Sequence, residues 1–204
     1  MLATAGARSV HGMDLSEDAV AFCREHNAAP NVTYEAGNAQ KLSAISDGEF
    51  DVVISFETIE HLPDVEAYLD EMARILRPGG TFLVSTPDRR IGSVLYCFLG
   101  HPQNVYHFRE YSERELLDLL STRFQINACY GQAFVPWWLV FWPVQMIIKS
   151  VCRILGTNKA FAFRDNLYSN RGNVEVMPRE SGSLSIPKFW VISCVRPEKS
   201  GARK

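Results

Sequence analysis

The stretch FDVVISFETIEHLPDVEAYLDEMARILRPGGTFLVSTP, Phe50 to Pro87, decides the fold. Its opening FDVVISF is nearly all apolar, the pattern of a parallel strand covered on both faces. Pro63 suits a first helical position, and Val65, Tyr68, Leu69, Met72, Ile75 and Leu76 then recur at three- and four-residue steps, which predicts a helix. RPGG stops that helix, and TFLVSTP reads as the next strand. A strand, a helix and a second strand in this order imply a right-handed βαβ crossover.

The same alternation extends upstream. SVHGMD predicts a strand, and Ser16 caps a helix running to about His26, with Glu17 and Asp18 at the positive end of its dipole. NVTYEAG predicts another strand. Downstream, Ser112 and Glu115 form a capping box ahead of Leu116, Leu117, Leu119 and Leu120, so a helix follows. FQINACYG and KFWVISCVRP are expected to finish the sheet as an antiparallel pair. The fold class is therefore α/β: a Rossmann-like, doubly wound, mostly parallel sheet with an antiparallel terminal hairpin. Residues 1–204 form one domain, with an insertion at about 134–173.

A length of 204 residues with 47% hydrophobic content is enough for one sizeable core. A formal net charge of -2 offers no basic footprint, which argues against DNA as a partner. Cys23, Cys97, Cys129, Cys152 and Cys194 are widely spaced and odd in number, against a disulfide framework or a zinc site. No secretory pattern opens the chain, so the cytoplasm is the expected compartment.

The insertion contains FVPWWLVFWPVQMIIKSVCRILG, Phe134 to Gly156. Polar residues and Pro136 and Pro143 interrupt it too often for a membrane-spanning helix. Val144, Ile147, Ile148, Val151 and Leu155 instead predict an amphipathic helix opposite Gln145, Lys149 and Arg153. Two roles stay open for residues 134–156: peripheral contact with a membrane, or a lid or homodimer surface.

The phrases VHGMDLSEDAV, YEAGNAQKL, FDVVISFETIEHL with LRPGG, and HFREYSERELLDLL resemble the class I S-adenosylmethionine-dependent methyltransferases, type 11 subgroup. The resemblance covers roughly two-thirds of the chain. It implies S-adenosyl-L-methionine as cofactor, bound by Asp14, Leu15, Asn38, Ala39 and Phe56, with Asp14 on the ribose hydroxyls and Asn38 on the adenine. One departure stands out: the family's glycine-rich loop and the strand before it are missing, and MLATAGA resembles the last turns of the helix after that loop. The first central strand is then expected to be absent between SVHGMD and FDVVIS, as in an N-terminally incomplete gene product or a chain that has lost cofactor binding.

Glu57-x-x-Glu60-His61 carries the chemistry. An acceptor hydroxyl loses its proton either to a positioned base or to a metal acting as Lewis acid. The pattern resembles that of ubiquinone-biosynthesis O-methyltransferases and small-RNA 2′-O-methyltransferases, which implies Mg²⁺ or Mn²⁺ on Glu57, Glu60, His61 and His107. A helical turn would put Glu57 and Glu60 on one face. Metal-free catalysis by His61 with Glu60, and a structural role, stay open beside it. The expected function is O-methylation of a small-molecule or lipid-linked acceptor; the alternatives are an RNA 2′-O-methyltransferase-like enzyme and a non-catalytic interaction module.

Overall fold

The structure is a computed structural model that describes residues 2–92, 106–136, 176–178 and 185–198. The expected amphipathic helix at Val144 to Leu155, most of the insertion, His101, Cys97 and Cys152 lie outside the described residues.

The upstream unit is β1 (Val10–Asp14), α1 (Glu17–His26) and β2 (Val32–Ala36), with β1 and β2 parallel. Ser16 caps α1 as its spacing predicts, its hydroxyl accepting from Ala19 N at 3.2 Å. Residues of the MLATAGA segment form only a short 3-10 turn, Ala3–Ala5.

Five further strands make the main sheet: β3 (Phe50–Phe56), β4 (Leu76–Pro87), β5 (Gln125–Pro136), β6 (Val176–Pro178) and β7 (Ser185–Val195), in the order β3-β4-β7-β5-β6. β3 and β4 are parallel, and β7 runs antiparallel to both β4 and β5. The expected antiparallel pair is therefore present, with β7 inserted between β4 and β5.

Helix α2 (Val65–Ile75) crosses from β3 to β4. Asp64 rather than Pro63 is its N-cap, accepting from Ala67 N at 3.0 Å, which places Pro63 one residue before the cap and corrects the expected start. RPGG also acts differently from a simple stop. Strand β4 begins at Leu76, opposite Phe50, and the next paired residue after the excursion is Thr81, opposite Val52. Gly79 adopts φ 74°, and a Cβ on Gly80 would lie 2.8 Å from the Arg77 carbonyl oxygen, so this bulge demands both glycines. A short α3 (Arg89–Gly92) follows β4, and α4 (Glu113–Leu120) carries both halves of the Ser112–Glu115 capping box.

The core lies on one face of the main sheet. Tyr68, Leu69, Met72 and Ile75 of α2 and Leu116 and Leu120 of α4 pack with Phe82 and Val84 of β4 and with Trp190, Ile192 and Cys194 of β7. The opposite face is open along β3, where Val52, Ile54 and Phe56 are 49%, 38% and 53% exposed. This corrects the reading of FDVVISF as covered on both faces. Among the described residues β1 pairs with β2 alone and β3 with β4 alone, so each keeps one backbone edge without a strand partner. The His11 and Phe50 rings meet between them, 6.2 Å apart. No helix among the described residues is long and apolar enough to cross a membrane.

Candidate functional site

Parallel strands direct their carboxyl ends to one edge of a sheet, where an α/β fold gathers its ligands. Here β3 ends at Phe56 and β4 at Pro87, and the segment between β3 and α2 folds as a 3-10 turn, Ile59–His61. Ile59 and Glu60 of that turn are fully buried. A buried carboxylate needs partners. Thr86 on β4 supplies one, its hydroxyl donating to Glu60 Oε2 at 2.9 Å.

The turn also fixes His61, whose Nε2 lies 3.9 Å from Glu60 Oε1. His61 Nδ1 is 2.9 Å from the Tyr106 carbonyl oxygen. A carbonyl only accepts, so Nδ1 carries a proton, and in the neutral ring Nε2 is the nitrogen with the lone pair. His107 follows one residue later, its ring 4.7 Å from that of His61 at an edge-on angle of 80°. The backbone locks the two segments together: Phe108 N and Arg109 N both donate to the Glu60 carbonyl, at 2.8 and 3.3 Å.

Glu60, His61 and His107 each offer a ligand atom within 4.8 Å of the others. Glu57 stands outside this trio. Its φ is 53°, in the left-handed region that a side chain adopts at a cost. It precedes the 3-10 turn, so it is not carried on the same turn as Glu60, although the charges of Glu60, His107 and His61 all act on it. The residue is exposed, but its carboxyl end is tucked against β4, where the Ser85 hydroxyl donates to Oε1 at 2.6 Å. Burial pushes the Glu57 carboxyl above its usual range, opposed by the Ser85 hydrogen bond and assisted by the charge of Glu60.

The residues expected to meet the cofactor lie at or just after the carboxyl ends of β1, β2 and β3. Asp14 ends β1, with Oδ1 accepting from Ser16 N at 2.8 Å. Leu15 is 77% exposed beside it. Asn38 Oδ1 accepts from Gln40 N at 2.9 Å, an Asx-type turn that leaves its oxygen one further lone pair. Ala39 packs against the core, and Phe56 presents its ring at the end of β3. A carboxylate, an amide and exposed apolar side chains at the carboxyl ends of parallel strands are the chemistry that suits the ribose, adenine and apolar surfaces of a nucleoside.

Sequence reasoning missed the supports: Ser85, Thr86, the Tyr106 carbonyl and Glu110. Thr86 and Ser85 lie in TFLVSTP at the end of a predicted strand, beside EHL at the end of its neighbour, and that adjacency was a usable signal. Glu110 gave none, because a lone acid in YHFREYS reads as solvent-facing. The remaining described histidines sit elsewhere, His11 against Thr33 and His26 stacked on Phe22.

Comparison with known proteins adds a likeness. Residues 1–84 match the model of a methyltransferase domain of type 11. A Mycolicibacterium smegmatis protein named "Probable S-adenosylmethionine-dependent methyltransferase" is 42% identical over 126 residues, covering 61% of this chain and 47% of its own length. The chain is similar to the class I S-adenosylmethionine-dependent methyltransferases of type 11. A ubiquinone biosynthesis O-methyltransferase of Aromatoleum aromaticum is 38% identical over 48% of this chain and 43% of its own length. The chain thus spans about half the length of these relatives. Among solved structures, an S-adenosylmethionine-dependent methyltransferase from Mesorhizobium loti shares the fold at a TM-score of 0.58 and 20% identity, covering 95% of this chain and 83% of its own. The chain therefore carries the expected Rossmann-like fold.

Proposed function

We propose that this chain serves S-adenosylmethionine-dependent O-methylation of a small or lipid-linked acceptor, with a divalent cation held by Glu60, His61 and His107. The observation that carries the reading is the convergence of these three ligand atoms within 4.8 Å at the carboxyl ends of β3 and β4. One carboxylate oxygen and two imidazole nitrogens suit Mn²⁺ better than Mg²⁺, which prefers an all-oxygen shell. The name of the Aromatoleum relative supports oxygen as the acceptor atom.

When bound, S-adenosylmethionine supplies an electrophilic methyl group on a sulfonium, and the cation supplies Lewis-acid lowering of a hydroxyl pKa. The chain's own residues do the positioning. Asp14, Leu15, Asn38, Ala39 and Phe56 would hold the cofactor. Thr86 fixes one oxygen of Glu60 and so presents the other towards His61. The Tyr106 carbonyl holds His61 through Nδ1–H, which leaves Nε2 as the nitrogen that would ligate. Glu57, with its raised carboxyl pKa and Ser85 contact, stands beside the trio as a group able to take the acceptor proton. Holding the acceptor oxygen in line with the methyl group would supply much of the acceleration.

A second reading rests on the open edges of β1 and β3 and the exposed Val52, Ile54 and Phe56, which suit an interaction module. One experiment separates the readings. The full chain is incubated with methyl-labelled S-adenosylmethionine and, in parallel, a catechol-type acceptor, its polyprenylated form and a short RNA, with products identified by mass spectrometry. O-methylated catechol supports the proposal; label on a ribose oxygen transfers it to RNA; no transfer to any acceptor leaves the interaction module.

A further inference from the structure

We propose that Glu110 is a positioning residue, whose buried carboxylate holds His107 as the Nδ1–H tautomer and so turns Nε2 into its coordinating atom. The consequence for coordination rests on the cation reading above; the assignment of the tautomer does not.

Glu110 is 2% exposed, and Oε1 lies 2.9 Å from His107 Nδ1. Its other oxygen is buried with no hydrogen-bond partner among the described residues. Burying a carboxylate is costly unless a donor compensates. The imidazole N–H is the compensating donor, since an ionised carboxylate can only accept. Glu110 and His107 lie three residues apart, and the segment between them is pinned by the two N–H bonds from Phe108 and Arg109 to the Glu60 carbonyl. Glu110 therefore orients a ring whose backbone is anchored to the residue that the ring must meet.

His61 offers a parallel built from different material. Its Nδ1–H is held by a main-chain carbonyl, which no substitution removes. His107 is held by a side chain, and its geometry can be altered by one change. His61 Nε2 lies 3.9 Å from Glu60 Oε1, and His107 offers a nitrogen within 4.8 Å of the Glu60 and His61 ligand atoms; a carboxylate behind an imidazole is the arrangement that orients metal-bound histidines.

The test is long-range ¹H–¹⁵N NMR of the imidazoles in the full chain, metal-free and at a pH where histidine is neutral. Wild type is expected to show His107 as Nδ1–H. Glu110→Gln retains an accepting oxygen and should retain that form. Glu110→Ala removes it and should admit the Nε2–H form at His107 while His61, held by Tyr106, stays unchanged as the internal control of folding. Mn²⁺ titration of the same samples is expected to show affinity falling about 10–100-fold in Glu110→Ala and less in Glu110→Gln. An Nε2–H tautomer at His107 in wild type, or an unchanged Nδ1–H in a folded Glu110→Ala, overturns the proposal. Failure of wild type to bind Mn²⁺ removes the cation reading, while the tautomer series still decides the role of Glu110.

Discussion

Strands β3 and β4 pair in parallel, yet their apolar residues live in opposite surroundings. Phe82 and Val84 of β4 are fully buried beneath α2, whereas Val52, Ile54 and Phe56 of β3 are 38–53% exposed. Both strands are apolar in sequence, so composition does not separate them; the presence of a covering element does. The site inherits this asymmetry. Glu60, on the sealed side, is 1% exposed and fixed by Thr86, while Glu57, three residues earlier, is exposed and bonded to Ser85. The sealed half supplies rigid geometry. The open edge leaves room for a ligand.

The strongest challenge to this contrast is a pair of truncations on the two strands. Phe82→Ala should cost about 3–5 kcal/mol in chemical denaturation, the range for emptying a closed core, whereas Phe56→Ala should cost under about 1 kcal/mol. Similar losses at both sites would mean that β3 is as enclosed as β4. A subtler comparison uses the two hydroxyls. Thr86→Val strands a buried carboxylate oxygen and should destabilise by about 1–3 kcal/mol. Ser85→Ala should cost less, because the Glu57 carboxyl can turn to solvent.

Away from the seam, Glu71 tests the charge side of the sealed half. It accepts from Arg74 Nε at 2.9 Å and from Leu42 N at 2.5 Å, and the hydrogen bond from Arg74 holds its carboxyl below the usual range. A depressed folded pKa gives stability that is present above the ordinary glutamate range and lost as pH falls through the folded value. Glu71→Gln should therefore lower stability by about 1–2 kcal/mol at neutral pH, with the difference from wild type vanishing in acid. A pH-independent difference would assign the loss to packing. A comparably modest effect is expected at Ser112→Ala, about 1 kcal/mol for one helix cap, measured by thermal unfolding.

Local signals in the chain read well where one residue type answers one physical need. Ser16 and Ser112 cap their helices because an unpaired helix N–H needs a nearby oxygen, and the spacing of Tyr68, Leu69, Met72 and Ile75 marks the buried face of α2 directly. Reading failed where the answer lies elsewhere in the chain. The insertion of β7 between β4 and β5 joins segments far apart in sequence. The exposure of β3 depends on what covers it, which its own alternation does not contain. At the site, the positive φ at Glu57 and the 3-10 turn that follows it were not legible in the spacing of Glu57 and Glu60. Glu110 was invisible because its burial follows from a partner and a fold, not from its neighbours.

The central claim is that Glu60, His61 and His107 form one cation site at the seam of the sealed and open halves. Its most direct test is Mn²⁺ titration of the full chain by electron paramagnetic resonance, comparing wild type with His61→Asn and His107→Asn. The account predicts saturable binding of a single ion, reversed by chelator and weakened at least about tenfold in each variant. Absence of saturable binding in wild type, or wild-type affinity in either variant, would contradict it.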